Sequence, residues 1–452
     1  MSEIANRYVV AVVGAATAGS EIARILTLRG VRVIVIEQNA RPYGKIEDGL
    51  PRWHVKQRKD EYEEINKRLD HPGIEYLPLT KMGRDISFDE LRTGWGLSAI
   101  ILTHGAWRDR SFPVKGADEF VDRGLIYQNP LIYWFNHYPE KAYAGPRYVP
   151  SPGAIVVGGG LASIDVVKVL QIETALGALR ARGIAEDMVR LEREGIEPVL
   201  KSYQLNWQQL DIAPCKLFYR RRVLDMPLSD ILPDAPAKRA EAMRQARSKI
   251  LDKARRKYLF DFEERRVPTG LIVNDARLVG VQMSRTEVND GRVHTIFDTE
   301  EPVRGALTVS SIGSIPEPIP GIRQRGEVYQ YADEALGLLM EGRTAVYAAG
   351  NVLTGKGNIK DSLESGTAVG THVAEAYLGV ADDGSRASLA DGARQVAHRE
   401  GEQIAVSIVA RPMLQPEEVA EIGRRVRVRQ SAVGYEGNYR QWIAQVTPSD
   451  LQ

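Results

Sequence analysis

Residues 11–24 contain glycines at a spacing that can hold the pyrophosphate of a dinucleotide. The stretch VAVVGAATAGSEIA places Gly14, Ala16 and Gly19 at the three positions of a phosphate-binding loop. At such a loop, the N-terminus of a helix offers N–H groups and a positive dipole end to the phosphates. The methyl of Ala16 narrows the approach of the backbone to a phosphate but removes no donor. Glu37 lies 23 residues after Gly14 and closes the next apolar run, where a carboxylate suits the ribose hydroxyls of an adenosine.

A second loop of the same kind begins 144 residues after the first. The stretch GGGLAS places Gly158, Gly160 and Ser163 at its three positions. Glycine is retained at the middle position, and a small residue replaces the last glycine. The recurrence predicts two dinucleotide-binding domains in one chain.

An arginine cluster follows the second loop. The stretch CKLFYRRRVLDMP at 215–227 predicts a strand that runs into arginines. Guanidinium groups at the end of such a strand can bind the 2′-phosphate of NADP, and an acid there would have indicated NAD. We take Arg220 and Arg221 as the candidates. A solvated arginine run is the alternative, because sequence does not show which arginine faces inward.

The elements around the loops form two β-α-β patterns. Residues 8–13 are an apolar, β-branched run typical of a buried strand, and a helical pattern follows that ends at Gly30. The stretch VRVIVIE then predicts a second strand that ends at Glu37. Residues 153–171 repeat the order of strand, glycine turn and helix. The fold class is therefore α/β, with two Rossmann-like dinucleotide-binding domains.

Composition restricts the remaining possibilities. A length of 452 residues predicts two or three domains, and a net charge of +1 gives no overall field for binding nucleic acid. The single cysteine, Cys215, excludes an intramolecular disulfide, a C-x-x-C pair and a cluster held by cysteines of this chain. It fits a reducing, cytoplasmic setting. No apolar run is long enough to span a bilayer, and we predict no metal site.

Along most of residues 8–380 the chain resembles the adrenodoxin reductase family of NADPH–ferredoxin reductases, which is related to the glutamate synthase small subunit. The resemblance rests on many landmarks in chain order, which are more specific than any single glycine loop. They are RPYGKIEDGLPRWH (41–54), MGRDISFDEL (82–91), ILTHGAWRDRSFPVKGADE (101–119), YWFNHYPE (133–140), GGGLASID (158–165), ALGALR (175–180), SSIG (310–313) and AAGN…GKGNI (348–359).

The resemblance implies a glutathione reductase-like FAD/NAD(P) architecture in which the NADP domain is inserted into the FAD domain. The FAD domain would comprise residues 1–105 and 315–380, and the NAD(P) domain residues 106–314. Residues 381–452 would form a C-terminal extension for which we recognise no counterpart in the family, and the stretch 184–214 would be an insertion of unknown purpose.

The resemblance also implies roles for particular residues. The first loop and Glu37 would hold FAD, and His54 and Asp165 would form a pair that handles protons and orients groups at the flavin. Each member of the pair has a simpler alternative, as a surface histidine and as a residue of the first helical turn. Asn351 departs from the aromatic residue of the family. The residues placed along or over the flavin are Gly44, Lys45, Gly350, Gly357 and Ile359.

The function implied is a FAD-dependent NAD(P)H:ferredoxin oxidoreductase, with NADP favoured and NAD possible. Its partner would be a ferredoxin or another iron–sulfur protein, which can dock on the basic stretch 253–266 unless that stretch is an ordinary charged helix. One alternative is the NAD(P)-reducing flavin subunit of a larger complex, such as a 2-oxoacid:ferredoxin oxidoreductase or a glutamate synthase-like enzyme. A further alternative is a flavin monooxygenase.

Overall fold

A computed structural model of the chain describes residues 8–229, 231, 236–380 and 413–448. The chain divides into two compact units. The first unit contains the residues up to Leu50, Val55–Arg108 and the residues from Ile315 onward, and the second contains Pro51–His54 and Asp109–Ser314. The predicted assignment of these segments to a flavin domain and a nicotinamide domain stays a prediction.

The first unit is built on a six-stranded sheet. Its strand order is β18-β19-β4-β1-β2-β3, and all neighbours are parallel except β18 and β19. The strands of this unit are β1 (Val9–Val13), β2 (Arg32–Ile36), β3 (Ile74–Leu77), β4 (Ala99–Leu102), β16 (Gln324–Arg325), β17 (Val328–Tyr329), β18 (Leu338–Met340) and β19 (Ala345–Ala348). The short strands β5 (Arg108–Asp109) and β15 (Ser314–Ile315) lie where the chain passes between the units.

The helices of the first unit lie between and after the strands of this sheet along the chain. They are α1 (Thr17–Leu28), α2 (Lys45–Asp48), α3 (Val55–Leu69), α9 (Asn351–Thr354), α10 (Ile359–His372), α11 (Pro416–Ala432) and α12 (Tyr439–Val446), with π-helical turns at Glu90–Gly94 and Val373–Tyr377. β1 and β4 are buried at every position, as expected for central parallel strands that are covered on both faces. The predicted end of α1 is confirmed, since Gly30 follows the C-cap Arg29 with φ +81°.

The second unit contains a parallel sheet and an antiparallel sheet. The parallel sheet has the order β6-β14-β7-β8-β9, and β11 pairs with β10, β12 and β13 in the antiparallel sheet. The strands are β6 (Leu125–Tyr127), β7 (Ile155–Gly158), β8 (Lys216–Tyr219), β9 (Asp261–Glu264), β10 (Arg266–Asn274), β11 (Arg277–Asn289), β12 (Arg292–Thr295), β13 (Glu301–Arg304) and β14 (Thr308–Ser311). The helices are α4 (Gln128–His137), α5 (Leu161–Arg180), α6 (Met188–Glu194), α7 (Ile196–Ser202) and α8 (Ala237–Tyr258), with 3-10 turns at Ala117–Phe120, Gln208–Leu210 and Val223–Asp225.

The stretch 184–214, which is predicted to be an insertion relative to the resembled family, is part of the core of the second unit. It forms α6 and α7, and Leu191, Val199 and Leu200 are fully buried in the main hydrophobic cluster of that unit. The basic stretch 253–266 is not one helix, because α8 ends at Tyr258 and β9 follows.

The described part of the C-terminal tail packs on the first unit. Val426 of α11 is fully buried, and the indole Nε1 of Trp442 in α12 donates a hydrogen bond of 2.8 Å to the carbonyl oxygen of Ala40. Residues 381–412 of the predicted C-terminal extension lie outside the described residues. None of the described helices combines the length and the apolar character needed to cross a membrane.

Candidate dinucleotide-binding sites

The loop between β1 and α1 has a backbone that requires its two glycines. Gly14 has φ +102°, and a Cβ there would lie 2.7 Å from the backbone of Thr103. A Cβ at Gly19 would lie 1.8 Å from the carbonyl oxygen of Gly14, so only glycine lets the first turn of α1 pass this close to the loop. The hydroxyl of Thr103 donates a hydrogen bond of 2.6 Å to the same carbonyl oxygen. The loop is therefore held from the end of β4.

The N-terminus of α1 is available to an anion. Ala16 is the N-cap residue, its methyl side chain makes no capping hydrogen bond, and the first turn of α1 carries no acidic residue. The first N–H groups of a helix have no partner within it, so they can donate to a phosphate. The Ala16 methyl lies 3.0 Å from the position that a Cβ of Gly44 would take. Glycine at position 44 thus leaves room for the methyl that the loop carries in place of hydrogen.

Glu37 connects the end of β2 to this loop. The side chain is buried, and its two carboxylate oxygens each accept a hydrogen bond of 2.9 Å, from the backbone N–H of Ala15 and of Asn39. Burial raises the pKa of Glu37 to about 7, against the lowering effect of these N–H donors. The structure therefore places Glu37 beside the loop, as an acid that binds ribose hydroxyls would require.

The late segment 350–359 lies against the same helix. A Cβ at Gly350 would lie 2.9 Å from the Cβ of Ala18 in the first turn of α1. Gly350 precedes α9, which begins at Asn351, and a Cβ at Gly357 would lie 3.5 Å from the Asn351 amide nitrogen. Ile359 begins α10. The structure thus brings this segment to the loop, and the contact of its residues with a flavin stays a prediction.

Two residues near the first loop were missed in the sequence. His104 directly follows Thr103, and its ring Nε2 lies 3.2 Å from the hydroxyl of Tyr329. Burial lowers the pKa of His104 to about 4, so the imidazole is neutral at pH 7. The Lys45 ammonium lies 5.4 Å from the centroid of the Trp107 ring, which makes Trp107 a neighbour of a predicted flavin residue. Residues 104–107, with the sequence HGAW, contain both of these residues. The only sign of them in the sequence was their residue types, a histidine and a tryptophan shortly after a buried strand.

The second loop is close-packed at its first position, Gly158, and open at its middle position, Gly160. A Cβ at Gly158 would lie 2.3 Å from the carbonyl oxygen of Ser311, whereas a Cβ at Gly160 would have no atom of the described residues within 4 Å. Ser163 is fully buried, and its hydroxyl donates a hydrogen bond of 2.9 Å to the Ser311 carbonyl. Ser163 therefore fastens α5 to β14, and the N-terminus of α5 at Gly160 is the open surface of the loop.

The three arginines after β8 differ in their surroundings. Arg221 donates a hydrogen bond of 2.7 Å to the carbonyl oxygen of Gly291, and Arg222 forms an ion pair of 3.0 Å with Asp225. Arg220 is exposed. Within the described part of the chain, its guanidinium makes no hydrogen bond or ion pair. Of the two predicted residues, Arg220 is thus the one whose charge is available to a ligand.

His54 and Asp165 both lie in the second unit and interact electrostatically. Burial raises the pKa of the Asp165 carboxyl, and the charges of Lys168 and His54 act against this effect. The segment 51–54 is held in this unit by Arg52, whose guanidinium lies over the Phe135 ring at 4.7 Å. Asp165 lies in α5, five residues after Gly160, so this member of the pair is near the second loop along the chain.

Lys168 is a further residue that the sequence analysis missed. It is a buried lysine in a helix that is otherwise buried and apolar around it, three residues after Asp165. A lone lysine within such a run is the signal that could have identified it, because an unpaired buried ammonium is costly.

Comparison with solved structures defines the class of fold. Mycobacterium tuberculosis FprA in complex with NADPH aligns with a TM-score of 0.64 at 17% sequence identity, over 94% of this chain and 90% of FprA. At this identity the likeness concerns the fold alone. The predicted class, two Rossmann-like units of the FAD/NAD(P) type, is confirmed.

Similarity in sequence to curated proteins confirms the resemblance. The chain is 24% identical over 163 residues to the mitochondrial NADPH:adrenodoxin oxidoreductase of Arabidopsis thaliana, which is 36% of this chain and 32% of that protein. It is 31% identical over 161 residues to the glutamate synthase [NADPH] small chain of Bacillus subtilis, 35% of this chain and 31% of that protein. It is also 30% identical over 176 residues to the NADPH-Fe(3+) oxidoreductase subunit beta of Geobacter sulfurreducens, 37% of this chain and 23% of that protein.

These similarities are partial. The chain spans about a third or less of the length of these three relatives. No family model matches the chain.

Proposed function

We propose that the protein is a FAD-dependent oxidoreductase that exchanges a hydride with NADP(H) and single electrons with an iron–sulfur protein. One observation carries the proposal. Each unit has a glycine loop of the phosphate-binding type, and an ionisable residue follows the strand beside that loop. This residue is an acid in the first unit and an arginine in the second. Glu37 follows β2, which pairs with β1, and Arg220 follows β8, which pairs with β7. An acid suits an adenosine ribose, and a base suits a 2′-phosphate, so the two sites suit different dinucleotides.

The first site fits FAD. A Cβ at Gly14 or Gly19 would fill the cradle at the start of α1, and the helix N-terminus supplies the donors for a pyrophosphate. In this proposal Gly44, Lys45, Gly350, Gly357 and Ile359 contact the flavin half of the cofactor. Bound FAD supplies the change between two-electron and one-electron transfer. The chain itself binds the cofactor and, through the start of α10, presents a positive dipole end to it.

His54 and Asp165 have supporting roles in the proposal. Asp165 carries a carboxyl group near the second loop, and His54 carries an imidazole, the side chain most often used for general acid–base chemistry. Their electrostatic interaction lets the pair orient a bound nicotinamide and handle a proton at the imidazole.

The partner in the proposal is an acidic iron–sulfur protein. Helix α8 carries nine lysines and arginines against two acidic residues, which is the charge needed to attract such a partner. The exposed cations of this helix are Lys238, Arg239, Lys249, Lys253 and Arg256. We also infer a cytoplasmic location, because the single cysteine fits a reducing compartment.

A second candidate function is the flavin subunit of a larger complex. Two of the relatives are named as a small chain and a subunit beta, and the chain spans about a third or less of each. Purification from the native cell tests this alternative. Iron–sulfur subunits that co-purify in fixed ratio would support it, and an isolated chain that reduces ferredoxin would support the first proposal.

The main experiment is an anaerobic titration of the purified protein. Bleaching of a flavin absorption band by NADPH but not by NADH, followed by electron transfer to an added ferredoxin, is the expected result. A colourless protein that does not bind added FAD would refute the proposal. Equal bleaching by NADH would remove the argument for NADP, and rapid oxygen consumption with NADPH would favour a monooxygenase.

A further inference from the structure

A buried ammonium lies at the centre of a charged cluster in the second unit. The side chain of Lys168 is 9% exposed. Its Nζ lies 3.2 Å from Asp165 Oδ1 and 3.2 Å from Glu192 Oε1. The one cation therefore serves two carboxylates, and only one of them belongs to the candidate pair with His54.

Aromatic rings fix the position of this ammonium. The Lys168 Nζ lies 4.6 Å from the centroid of the Trp53 ring and 5.1 Å from that of the Tyr258 ring. The Tyr258 hydroxyl donates a hydrogen bond of 2.9 Å to Glu192 Oε1. Trp53 directly precedes His54, so Lys168 contacts Asp165 itself and the neighbour of His54.

Glu192 belongs to the stretch 184–214, the predicted insertion, for which the sequence indicates no purpose. It lies in α6, beside the fully buried Leu191, and the side chain of Asp187 caps the start of this helix. The position of Glu192 is thus set by the core of the unit. The stretch delivers one carboxylate to the ammonium that Asp165 also uses.

We propose that Lys168 is a positioning residue for the His54–Asp165 pair, and that Glu192 of the stretch 184–214 shares its charge. Lys168 holds Asp165 in place and stabilises its carboxylate. Glu192 competes for the same ammonium and limits that stabilisation. The inference deepens the proposed function and rests on it for the role of the pair.

The charges around Asp165 give the sign of each effect. Burial raises the pKa of Asp165, Lys168 and His54 lower it, and Glu192 raises it. Helix α8 also contributes, since Tyr258 interacts electrostatically with Asp165 and the charge of Lys257 acts on Lys168 and Glu192. Removal of the Lys168 charge must therefore raise the pKa of Asp165, and removal of the Glu192 charge must lower it.

Carboxyl NMR of the full-length protein tests these opposite signs. The protein is labelled with carbon-13 at the aspartate carboxyl, and the Asp165 signal is identified by its absence in Asp165→Asn. We expect its titration midpoint to move to higher pH in Lys168→Gln and to lower pH in Glu192→Gln. Glu194→Gln, which neutralises an acid of the same helix that pairs with Arg190 and Arg193, is the matched control and should leave the midpoint unchanged.

The outcomes separate this inference from the proposed function. Midpoints that stay unchanged or move in the same direction in both variants would overturn the inference, because loss of packing alone does not produce opposite shifts. Lys168→Arg retains the charge and should restore a midpoint near that of the parent protein. If Lys168→Gln does not fold, the shift in Glu192→Gln alone tests the inference. This variant should fold, because the Glu192 side chain is 22% exposed and glutamine has nearly the same shape as glutamate. Absence of flavin reduction by NADPH in the parent protein would refute the proposed function, while the carboxyl titration would still test the cluster.

Discussion

Replacement of Arg220 by alanine tests the nicotinamide site most directly. Arg221 already donates to the Gly291 carbonyl and Arg222 is paired with Asp225, which leaves the exposed Arg220 for a 2′-phosphate. A hydrogen bond to a charged group contributes about 1.5–3 kcal/mol. Loss of one such contact should raise the Kd for NADP⁺ by about 10- to 150-fold. The Kd for NAD⁺ should change little, because NAD⁺ has no phosphate at this position.

The assay is equilibrium binding of NADP⁺ and NAD⁺ to the parent protein and to three single variants at fixed ionic strength. Arg222→Ala controls for general loss of positive charge and should have a small effect on both ligands. Arg221→Ala leaves a backbone carbonyl without its donor, so it should lower thermal stability and affect both ligands alike. An equal loss of NADP⁺ and NAD⁺ binding in Arg220→Ala would refute the reasoning, as would a selective loss in Arg221→Ala alone.

Three further predictions concern other parts of the chain. The pKa of Glu37 is raised to about 7 in the folded protein, above its ordinary value of 4.5. The flavin-free protein should therefore lose stability as the pH rises between these two values, because the folded state holds the proton more tightly than the unfolded state does. Thermal denaturation from pH 5 to 8 measures this dependence, which Glu37→Gln should flatten. Trp442→Ala should lower the free energy of unfolding by about 3–5 kcal/mol in urea titration, since it removes a buried indole and its bond to Ala40. The Cys215 thiol should not react with a thiol reagent until the protein unfolds, because it is fully buried and burial raises its pKa to about 12.

Each of these predictions has an outcome that contradicts it. Stability that rises between pH 5 and 8 would mean that the N–H donors stabilise the Glu37 carboxylate more than burial destabilises it in the folded protein. A Trp442→Ala variant as stable as the parent would mean that α12 does not stabilise the first unit. Rapid labelling of native Cys215 would show that the chain just before β8 opens readily to solvent.

Local patterns in the sequence predicted the framework of both loops. The apolar run before Gly14 is typical of a buried strand, and the glycine that ends α1 was identifiable because few other residues adopt its backbone angles. Glu37 was identifiable for a similar reason, since a charged residue that closes an apolar run marks the end of a buried strand. These inferences needed only neighbours within one β-α-β pattern.

Contacts between distant segments could not be predicted in this way. The sequence did not distinguish Arg220 from Arg221 as the ligand of a 2′-phosphate. The difference between them arises because the carbonyl oxygen of Gly291, some seventy residues later, accepts a hydrogen bond from Arg221. Similarly, the sequence indicated no purpose for the stretch 184–214, and only packing in the second unit directs Glu192 toward Lys168.

The sequence by itself determined the α/β class, the two loops and the residue types at their rims, because strand burial, helix periodicity and glycine backbone angles are local properties. Tertiary structure alone decided which arginine remains available, that the segment 51–54 joins the second unit, and that one lysine serves two carboxylates. The physical reason is that charge pairing and burial depend on distances between residues far apart in the chain, and the order of residue types does not encode those distances directly.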